Sequence, residues 1–173
     1  MKRHPLCFAI AVLLAAPVAL QAQETNSNDE AVATATLDSI TVSARKREET
    51  LQEVPVAVTA FTAETLDTLN VEDLSDLDAV VPNLTVYATR GSSSTITAYI
   101  RAVGQSDPLW GVDPGVGLYL DDVYIARPQG ALLDVFDVER IEVLRGPQGS
   151  LYGKNTIGGA IKYISSPLED DLY

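Results

Sequence analysis

The chain has 173 residues and carries 24 Asp and Glu against 12 Lys and Arg, which gives a net charge of −12. This acidic excess argues against nucleic acid and against anionic membrane surfaces as partners. The single His and the single Cys, His4 and Cys7, both lie at the start of the chain. Ser-His-Asp and Cys-His catalysis, zinc-thiolate sites and disulfides are therefore excluded from the rest of it, and we predict neither an enzyme nor a cofactor or metal site.

Residues 1–22 have the parts of a secretory signal peptide. Lys2 and Arg3 supply a basic start, residues 6–20 are mostly apolar, and Ala22 is a plausible cleavage position. The apolar run is too short for a comfortable membrane span, so an N-terminal anchor helix is the weaker interpretation. We predict that this segment exports the chain.

Residues 23–50 are predicted to form a flexible periplasmic segment ahead of the folded domain. Residues 23–36 are polar and lack periodicity, as is typical of chains that cannot bury a core. Residues 37–44, with the sequence LDSITVSA, form a short β-prone run, and the charged residues 45–49 follow. An ordinary linker is the plain interpretation of such a run.

The folded domain is predicted to span residues 51–166 and to begin with one strand and two short helices. Period-two alternation of apolar residues indicates a strand over residues 56–61. The spacing of the leucines indicates a helix over residues 63–69 and a second helix that Asn70 caps and Pro82 ends.

The middle of the domain alternates strands with turns. Strands are predicted over residues 84–87, 95–101, 116–120 and 123–125, and a helical turn over residues 132–136. The third and fourth of these strands form a hairpin that turns at Asp121 and Asp122. This irregular order predicts an α+β fold, a small mixed β-sheet with short flanking helices and hairpins.

The most informative stretch is VERIEVLRGPQGSLYGKNTIGGAI, from Val138 to Ile161. It predicts a strand, a glycine-rich turn region and a second strand. It nearly matches a phosphate-binding Walker loop, but Gly149 stands too close to Gly153 and Asn155 follows the lysine where Ser or Thr is needed. A strand rather than a helix is predicted beyond it, so a nucleotide site is not supported.

The same stretch resembles the closing motif of the plug domain in TonB-dependent outer-membrane receptors. That family carries V-E-R-I-E-V-L-R-G-P-x-G-x-L-Y-G-x-N-x-x-G-G-x-I, and weaker similarity extends from about Leu37 to Ser165. The sequence departs from the family at Ala102 and Asp122, where the family favours Gly. The resemblance implies a plug in the cell outer membrane that gates energised uptake of a scarce ligand, such as a metal chelate, a vitamin or an oligosaccharide.

The resemblance also implies three sets of site residues. Residues 37–44 resemble the TonB box, so Ile40, Thr41 and Val42 are predicted to contact the periplasmic domain of TonB by strand addition. Contact with the receptor's β-barrel is predicted for Arg101, Arg145 and Glu142, and contact with an unidentified small ligand for Gln105, Asp107 and Trp110 in the loop of residues 104–115. Local pairing with Glu139 or Glu142 is the alternative for the arginines, and packing onto the plug is the alternative for the tryptophan.

The length of the chain is small for a receptor of this family. Such a receptor encloses its plug in a barrel of about 22 strands. At about 10 residues per strand, that barrel alone needs more residues than this chain has. We therefore expect a fragment without its barrel, with residues 167–173 as the truncated lead into it. The alternative is a stand-alone periplasmic plug-like module that binds a partner or ligand and transports nothing.

Overall fold

The computed structural model describes residues 39–89, 91–106 and 111–168, and β-strands make up most of their regular structure. The predicted signal peptide, residues 23–38 and residues 169–173 lie outside the described residues. The strands are β1 (Thr41–Val42), β2 (Glu49–Thr50), β3 (Val58–Thr62), β4 (Leu84–Ala88), β5 (Ile96–Ile100), β6 (Val103–Gly104), β7 (Val116–Leu120), β8 (Val123–Tyr124), β9 (Val138–Arg145) and β10 (Gly159–Ser165). The helices are α1 (Ala63–Thr68), a 3-10 helix (Leu74–Ala79) and α2 (Gly149–Tyr152).

A five-stranded sheet in the order β3-β9-β10-β7-β8 forms the centre of the fold. Strand β10 pairs with β7 in parallel and with β9 antiparallel, so the sheet is mixed, as the sequence predicts. Strand β9 begins at Val138, at the start of the predicted strand, and continues to Arg145. Its residues 141–144 are all buried, which is typical of a strand that is covered on both faces.

The two faces of this central sheet carry two separate hydrophobic clusters. The first includes Ile141, Val143 and Ile161, and the second includes Leu144, Ala160 and the N-terminal Val42. Side chains alternate between the faces of a sheet, so Glu142 and Lys162 lie on the same face as Leu144. We call this second face the N-terminal face, because the segment of residues 39–50 packs on it.

A three-stranded antiparallel sheet, β4-β5-β6, covers the other face. Its side chains Val86, Ile96 and Ile100 belong to the first hydrophobic cluster. The turn between β5 and β6 places Arg101 and Ala102 at positive φ, 52° and 64°. Glycine adopts this conformation most readily, so Ala102 is strained at the position where the family favours Gly.

The helices form where the sequence predicts them but differ at their ends. Helix α1 begins after Thr62, whose side chain accepts a hydrogen bond from the Thr65 N–H. The second helix is a 3-10 helix capped by Asp73, so the prediction that Asn70 caps it is wrong. Asn70 has a φ of 54° and lies in the turn after α1. Asp73 and Asp76 form a reciprocal capping box, which satisfies the first backbone donors of the 3-10 helix.

The helical turn predicted over residues 132–136 is also wrong. The N–H of Leu132 donates to the carbonyl of Ser94, and the N–H of Val135 donates to the carbonyl of Glu72. These backbone donors are used by neighbouring segments, so they are not available to a helix. The stretch therefore adopts an irregular, tethered conformation.

The hairpin of β7 and β8 turns at Asp121 and Asp122, as predicted. Both residues have positive φ, 47° and 65°, as the tight hairpin turns require. The Asp121 carboxylate accepts hydrogen bonds from the N–H and the hydroxyl of Ser165, each at 2.8 Å. Asp122 pairs with Lys162, with 3.0 Å between Oδ1 and Nζ. These contacts with Ser165 and Lys162 hold the hairpin turn against β10.

Candidate functional site

The predicted partner-contact residues Ile40, Thr41 and Val42 lie in and beside a short strand that packs on the N-terminal face. Strand β1 pairs antiparallel with β2, and the N–H of Leu51 donates to the Ile40 carbonyl at 2.9 Å. Val42 is completely buried, whereas Thr41 is exposed. Residues 39–50, the end of the segment predicted to be flexible, pack against the sheet through buried apolar side chains such as Val42.

One edge of β1 faces β2 and the other edge faces away from it. Backbone groups of successive residues in an antiparallel strand point to opposite sides. Because the Ile40 carbonyl faces β2, the N–H and C=O of Thr41 point to the outer edge, and so does the N–H of Ser43. In the described part of the chain no strand pairs with this outer edge. The backbone of Thr41 is therefore placed where a strand of another chain can add.

Two opposite charges are buried beneath Ser43. Glu142 on β9 and Lys162 on β10 are directly opposite in register and are 0% and 1% exposed. The Lys162 Nζ lies 2.6 Å from the Ser43 Oγ, 3.0 Å from Asp122 Oδ1 and 3.9 Å from Glu142 Oε2. Arg140 Nε donates to Glu142 Oε1 at 2.9 Å. We call Glu142, Lys162, Arg140 and Asp122 the charged cluster. Each of its buried charges has an opposite partner, which offsets part of the desolvation cost.

Glu142 was predicted to contact the barrel, and that contact stays a prediction. Its carboxylate is buried inside the domain, where it accepts hydrogen bonds from Ser43 and Arg140. The alternative that Arg101 or Arg145 pairs locally with this carboxylate is not observed either. Arg140 occupies that position, and it also pairs with the neighbouring Glu139.

A tyrosine pair completes the N-terminal face. The Tyr152 hydroxyl donates to the Ala44 carbonyl at 2.7 Å, and the Tyr119 hydroxyl donates to the Tyr152 carbonyl at 2.8 Å. The two rings pack edge-to-face with centroids 5.1 Å apart. Burial raises the pKa of both tyrosines, so both hydroxyls stay protonated and act as donors at neutral pH.

Sequence reasoning did not identify Ser43, Lys162 or Tyr152 as site residues. The pattern that could have found the cluster is a charge within each of two otherwise apolar strands, Glu142 in IEVL and Lys162 in AIKYI. Charged side chains are rarely fully buried unless they are paired. Two such residues on strands that pair with each other therefore indicate a buried ion pair.

The predicted barrel-contact residues Arg101 and Arg145 each follow or end a strand, Arg101 after β5 and Arg145 at the end of β9. Arg101 is exposed at the turn after β5, and its Nη1 lies against Gly146, the residue that follows Arg145. Arg145 Nη1 donates to the Pro82 carbonyl at 3.4 Å, while its buried Nε has no hydrogen-bond partner within the described residues. Neither arginine forms an ion pair in the described part of the chain. Arg145 thus keeps a buried donor without a partner among the described residues, and the Arg101 guanidinium lies against the residue that follows Arg145 in the chain.

The predicted ligand-contact loop is described only in part. Asp107 and Trp110 lie outside the described residues. Gln105 lines an apolar cleft together with Val116 and Leu118 of β7. Ligand contact by these three residues therefore stays a prediction.

No three His, Cys, Asp or Glu side chains come together in the described ranges in a way that could hold a metal ion. The helices described here are likewise too short, or too polar, to cross a bilayer. The arrangement offers contact surfaces: an open backbone edge at Thr41, the charged cluster under Ser43, and the arginine pair.

Comparison with known protein families identifies the kind of domain that carries these surfaces. The family model for the TonB-dependent receptor plug domain matches residues 50–160. The chain belongs to this family. The matched part of the plug contains Arg101, Arg145 and Glu142, whereas Ser43 and Lys162 flank it on either side. The family match confirms the fold and the family that the closing motif indicates.

Individual relatives of this plug are transporters and receptors rather than enzymes. The vitamin B12 transporter BtuB of Vibrio vulnificus (strain CMCP6) is 28% identical over 173 residues, which cover 98% of this chain and 26% of that protein. The hemin receptor of Yersinia enterocolitica is 31% identical, over 97% of this chain and 23% of the receptor. The chain thus spans about a quarter of the length of the curated relatives it matches.

A solved structure supports the same placement. The ferric yersiniabactin uptake receptor FyuA from Yersinia pestis matches with a TM-score of 0.57 and 31% identity. The match covers 67% of this chain and 18% of the receptor chain. The α+β architecture of mixed sheets and short helices is thus the plug fold.

Proposed function

We propose that this plug domain gates the energised uptake of a scarce ligand through an outer-membrane receptor. The names of its relatives support this class of function: a vitamin B12 transporter, a hemin receptor and a ferric yersiniabactin uptake receptor. The ligand class is a metal chelate, a vitamin or an oligosaccharide. The observation that carries the proposal is the family match over residues 50–160, directly behind a strand whose outer edge is open.

The partner at this open edge is proposed to be the periplasmic domain of TonB. Thr41 presents its N–H and C=O on the outer edge of β1, and a partner strand adds there through backbone hydrogen bonds. Ile40 is half-buried and Val42 is buried, so the two apolar side chains anchor β1 to the plug while its edge is in use. Force applied through the added strand is transmitted to the plug and opens a path for the ligand.

The partner at the arginine pair is proposed to be the β-barrel of the receptor. Arg145 keeps a buried Nε without a hydrogen-bond partner in the described residues, and Arg101 is exposed beside it. A buried guanidinium is stabilised by a carboxylate that satisfies its donors. Acidic side chains on the barrel wall provide such groups. Glu142 is buried and its Oε1 accepts hydrogen bonds from Ser43 and Arg140, so the two arginines carry this proposal.

The ligand is proposed to touch the plug at the loop of residues 104–115, which faces the extracellular side of the barrel. Gln105 and Asp107 supply polar groups there, and the ring of Trp110 supplies a stacking surface. The receptor lies in the cell outer membrane, and the predicted signal peptide of residues 1–22 directs the chain across the inner membrane to reach it.

A titration with a backbone-specific pair of variants tests the TonB contact. Thr41→Pro removes the N–H on the outer edge and leaves the bonds between β1 and β2 in place, because Thr41 points away from β2. We expect its affinity for the periplasmic domain of TonB to fall by about tenfold or more. Thr41→Val keeps the N–H and the β-branched shape, so its affinity should match that of the unsubstituted chain. Equal affinity of the proline and valine variants would refute strand addition at this edge.

A further inference from the structure

The aromatic ring of Phe136 projects into solvent from the turn that precedes β9. It is 83% exposed, the largest exposed fraction of any aromatic side chain among the described residues. Val135 and Val138 on either side of it pack into the first hydrophobic cluster, so this turn has inward places for apolar side chains and Phe136 does not take one. Burial would stabilise a ring of this size, so its exposure is unfavourable for the plug by itself.

Hydrogen bonds hold the turn that presents this ring. The hydroxyl of Tyr163, a buried side chain of β10, donates to the Phe136 carbonyl at 2.5 Å and accepts the Phe136 N–H at 3.1 Å. The N–H of Ser166 donates to the carbonyl of the next residue, Asp137, at 2.9 Å. The outward direction of the ring is therefore fixed before any partner arrives, and a side chain that is already ordered loses little conformational entropy on binding.

Exposed carboxylates flank the ring. Asp134 and Asp137 lie two residues before and one residue after Phe136, and both are exposed. Glu72 is exposed as well, and its carbonyl accepts the N–H of Val135, the residue next to Phe136, at 2.7 Å. None of these three acids forms an ion pair within the described part of the chain. The ring therefore lies in negatively charged surroundings.

This charge decides which kind of partner can cover the ring. A second copy of the chain would bring the same acids face to face, and an anionic phospholipid surface would also be repelled. A protein surface that has an apolar pocket with Lys or Arg side chains around it matches both the ring and the acids. Aromatic side chains that fill such pockets supply much of the binding energy of protein interfaces, and the charges at the rim steer the encounter.

The turn of Phe136 also lies close to the partner-contact segment. Arg140 follows Phe136 by four residues, and its Nη2 lies 3.4 Å from the Oγ of Ser43, the residue directly after β1. Four residues of extended chain span at most about 13 Å. A single protein domain that adds a strand at Thr41 is therefore wide enough to reach Phe136 as well.

We propose that Phe136 is the centre of a second contact surface for the periplasmic domain of TonB, with Asp134, Asp137 and Glu72 at its rim. We call these four residues the aromatic patch. The inference rests on the proposed function, because the partner is the one proposed there for Thr41. It adds a side-chain contact to the backbone contact. An apolar pocket of the partner takes the ring, and basic side chains of the partner pair with the acids.

Four variants isolate the contributions of the ring and of the acids. Phe136→Ser removes the ring, and Phe136→Leu keeps an apolar side chain at the same place. Since the ring is exposed, both variants should unfold at the same denaturant concentration as the unsubstituted chain. Asp134→Asn with Asp137→Asn removes two rim charges, and Asn tolerates the φ of 51° at position 137. Ile157→Ser is the matched control, because Ile157 is 68% exposed but precedes the start of β10, at the opposite end of that strand from Ser166.

Titration of the full chain and these variants with the periplasmic domain of TonB tests the aromatic patch. We expect Phe136→Ser to weaken the affinity by at least about tenfold and Phe136→Leu by about threefold or less, while Ile157→Ser binds like the unsubstituted chain. Equal affinities of Phe136→Ser and Ile157→Ser overturn the patch. The double Asn variant should associate about threefold more slowly at low ionic strength and equally fast at high salt. An unchanged association rate at low ionic strength overturns the role of the acids.

Thr41→Pro in the same titration separates the patch from the proposed strand addition. Weaker binding by Thr41→Pro together with unchanged binding by Phe136→Ser overturns the patch and leaves the strand addition in place. Weaker binding by Phe136→Ser together with unchanged binding by Thr41→Pro supports the patch and overturns the strand addition. Absence of binding by the unsubstituted chain overturns both contacts with TonB.

Discussion

The Nζ of Lys162 lies 2.6 Å from the Oγ of Ser43, although the two residues are 119 positions apart in the chain. This contact joins β10, the last strand of the plug, to the segment that precedes the plug. Glu142 completes it from β9 by accepting the Ser43 N–H at 2.7 Å. The N-terminal segment is thereby a docked part of the domain, with its open edge at Thr41.

The buried ion pair gives a first prediction, on stability. Glu142→Ala should lower the free energy of unfolding by roughly 3–5 kcal/mol, because it leaves Arg140 and Lys162 without their buried carboxylate. The double variant Glu142→Gln with Lys162→Met should cost clearly less than the sum of its two single substitutions. Denaturant unfolding of the unsubstituted chain, Glu142→Ala, the double variant and its two single substitutions measures both quantities. Asp67→Ala, on the exposed side of α1, serves as the control and should stay within about 0.5 kcal/mol. Additive costs of the two single substitutions would show that the pair is not coupled.

Local patterns in the sequence predict much of the fold but not the docking of the segment. The apolar run after Val138 and the paired aspartates Asp121 and Asp122 predict β9 and the hairpin, because each depends on neighbours in the chain. The docking of Ser43 depends on contacts across 99 and 119 residues, which no local pattern specifies. A β-prone run in polar surroundings therefore predicts a mobile segment. In the structure its apolar side chains pack on the folded plug.

In the candidate site, too, local sequence patterns predict some features and long-range contacts decide the others. The positions of Arg101 and Arg145 come from the strand ends and the closing motif, and the structure places the Arg101 guanidinium against Gly146, the residue after Arg145. Glu142 lies in the same motif, yet its position in β9 turns it to the N-terminal face. Its partner could be found only from the register of β9 with β10, which is a property of the folded sheet. The sequence thus predicts which charged residues are candidates for the site but not which of them contact one another.

The tyrosine on the N-terminal face gives a second prediction. Tyr152→Phe removes the hydroxyl that donates to the Ala44 carbonyl and leaves the ring packed against Tyr119. We expect a loss of about 1 kcal/mol in the free energy of unfolding, since a carbonyl loses its partner while the packing is kept. Tyr87→Phe, on an exposed ring, should have little effect in the same denaturant melts. A loss at Tyr152 no larger than that of the control would show that the hydroxyl does not hold the segment.

The arginine pair gives a third prediction, on context. Arg101→Ala with Arg145→Ala should cost less than about 1 kcal/mol in this chain, because neither side chain has an ion pair among the described residues. In a full-length receptor the same pair of substitutions should cost roughly 3–5 kcal/mol, since it would strand carboxylates on the barrel. Arg140→Ala, which removes the partner of Glu142, should be costly in both contexts. Equally large losses for the double variant in both contexts would mean that these arginines serve the core of the plug.

The strand pair β1–β2 gives a fourth prediction, on pH. Hydrogen bonds from Arg45 and Arg47 lower the pKa of Glu49 to about 2. A pKa that folding lowers stabilises the paired state fully above the unfolded-state value of about 4.3, and this stabilisation is lost as the pH falls towards 2. The protection factors of the amides in residues 40–50, which are exchange rates corrected for the intrinsic pH dependence, should therefore fall over this range. Glu49→Gln should remove that pH dependence. A Glu49 carboxyl that titrates near 4.3, followed by NMR, would contradict the prediction.

The proposed function requires that the outer edge of β1 accepts a strand of TonB. Hydrogen exchange at the Thr41 amide, with and without a saturating concentration of the periplasmic domain of TonB, tests it most directly. Thr41 is exposed and its N–H points away from β2, so its exchange should be fast in the free chain and slow by at least about tenfold in the complex. A Thr41 amide that exchanges at the same rate in both conditions, while the two proteins are bound, would contradict the account.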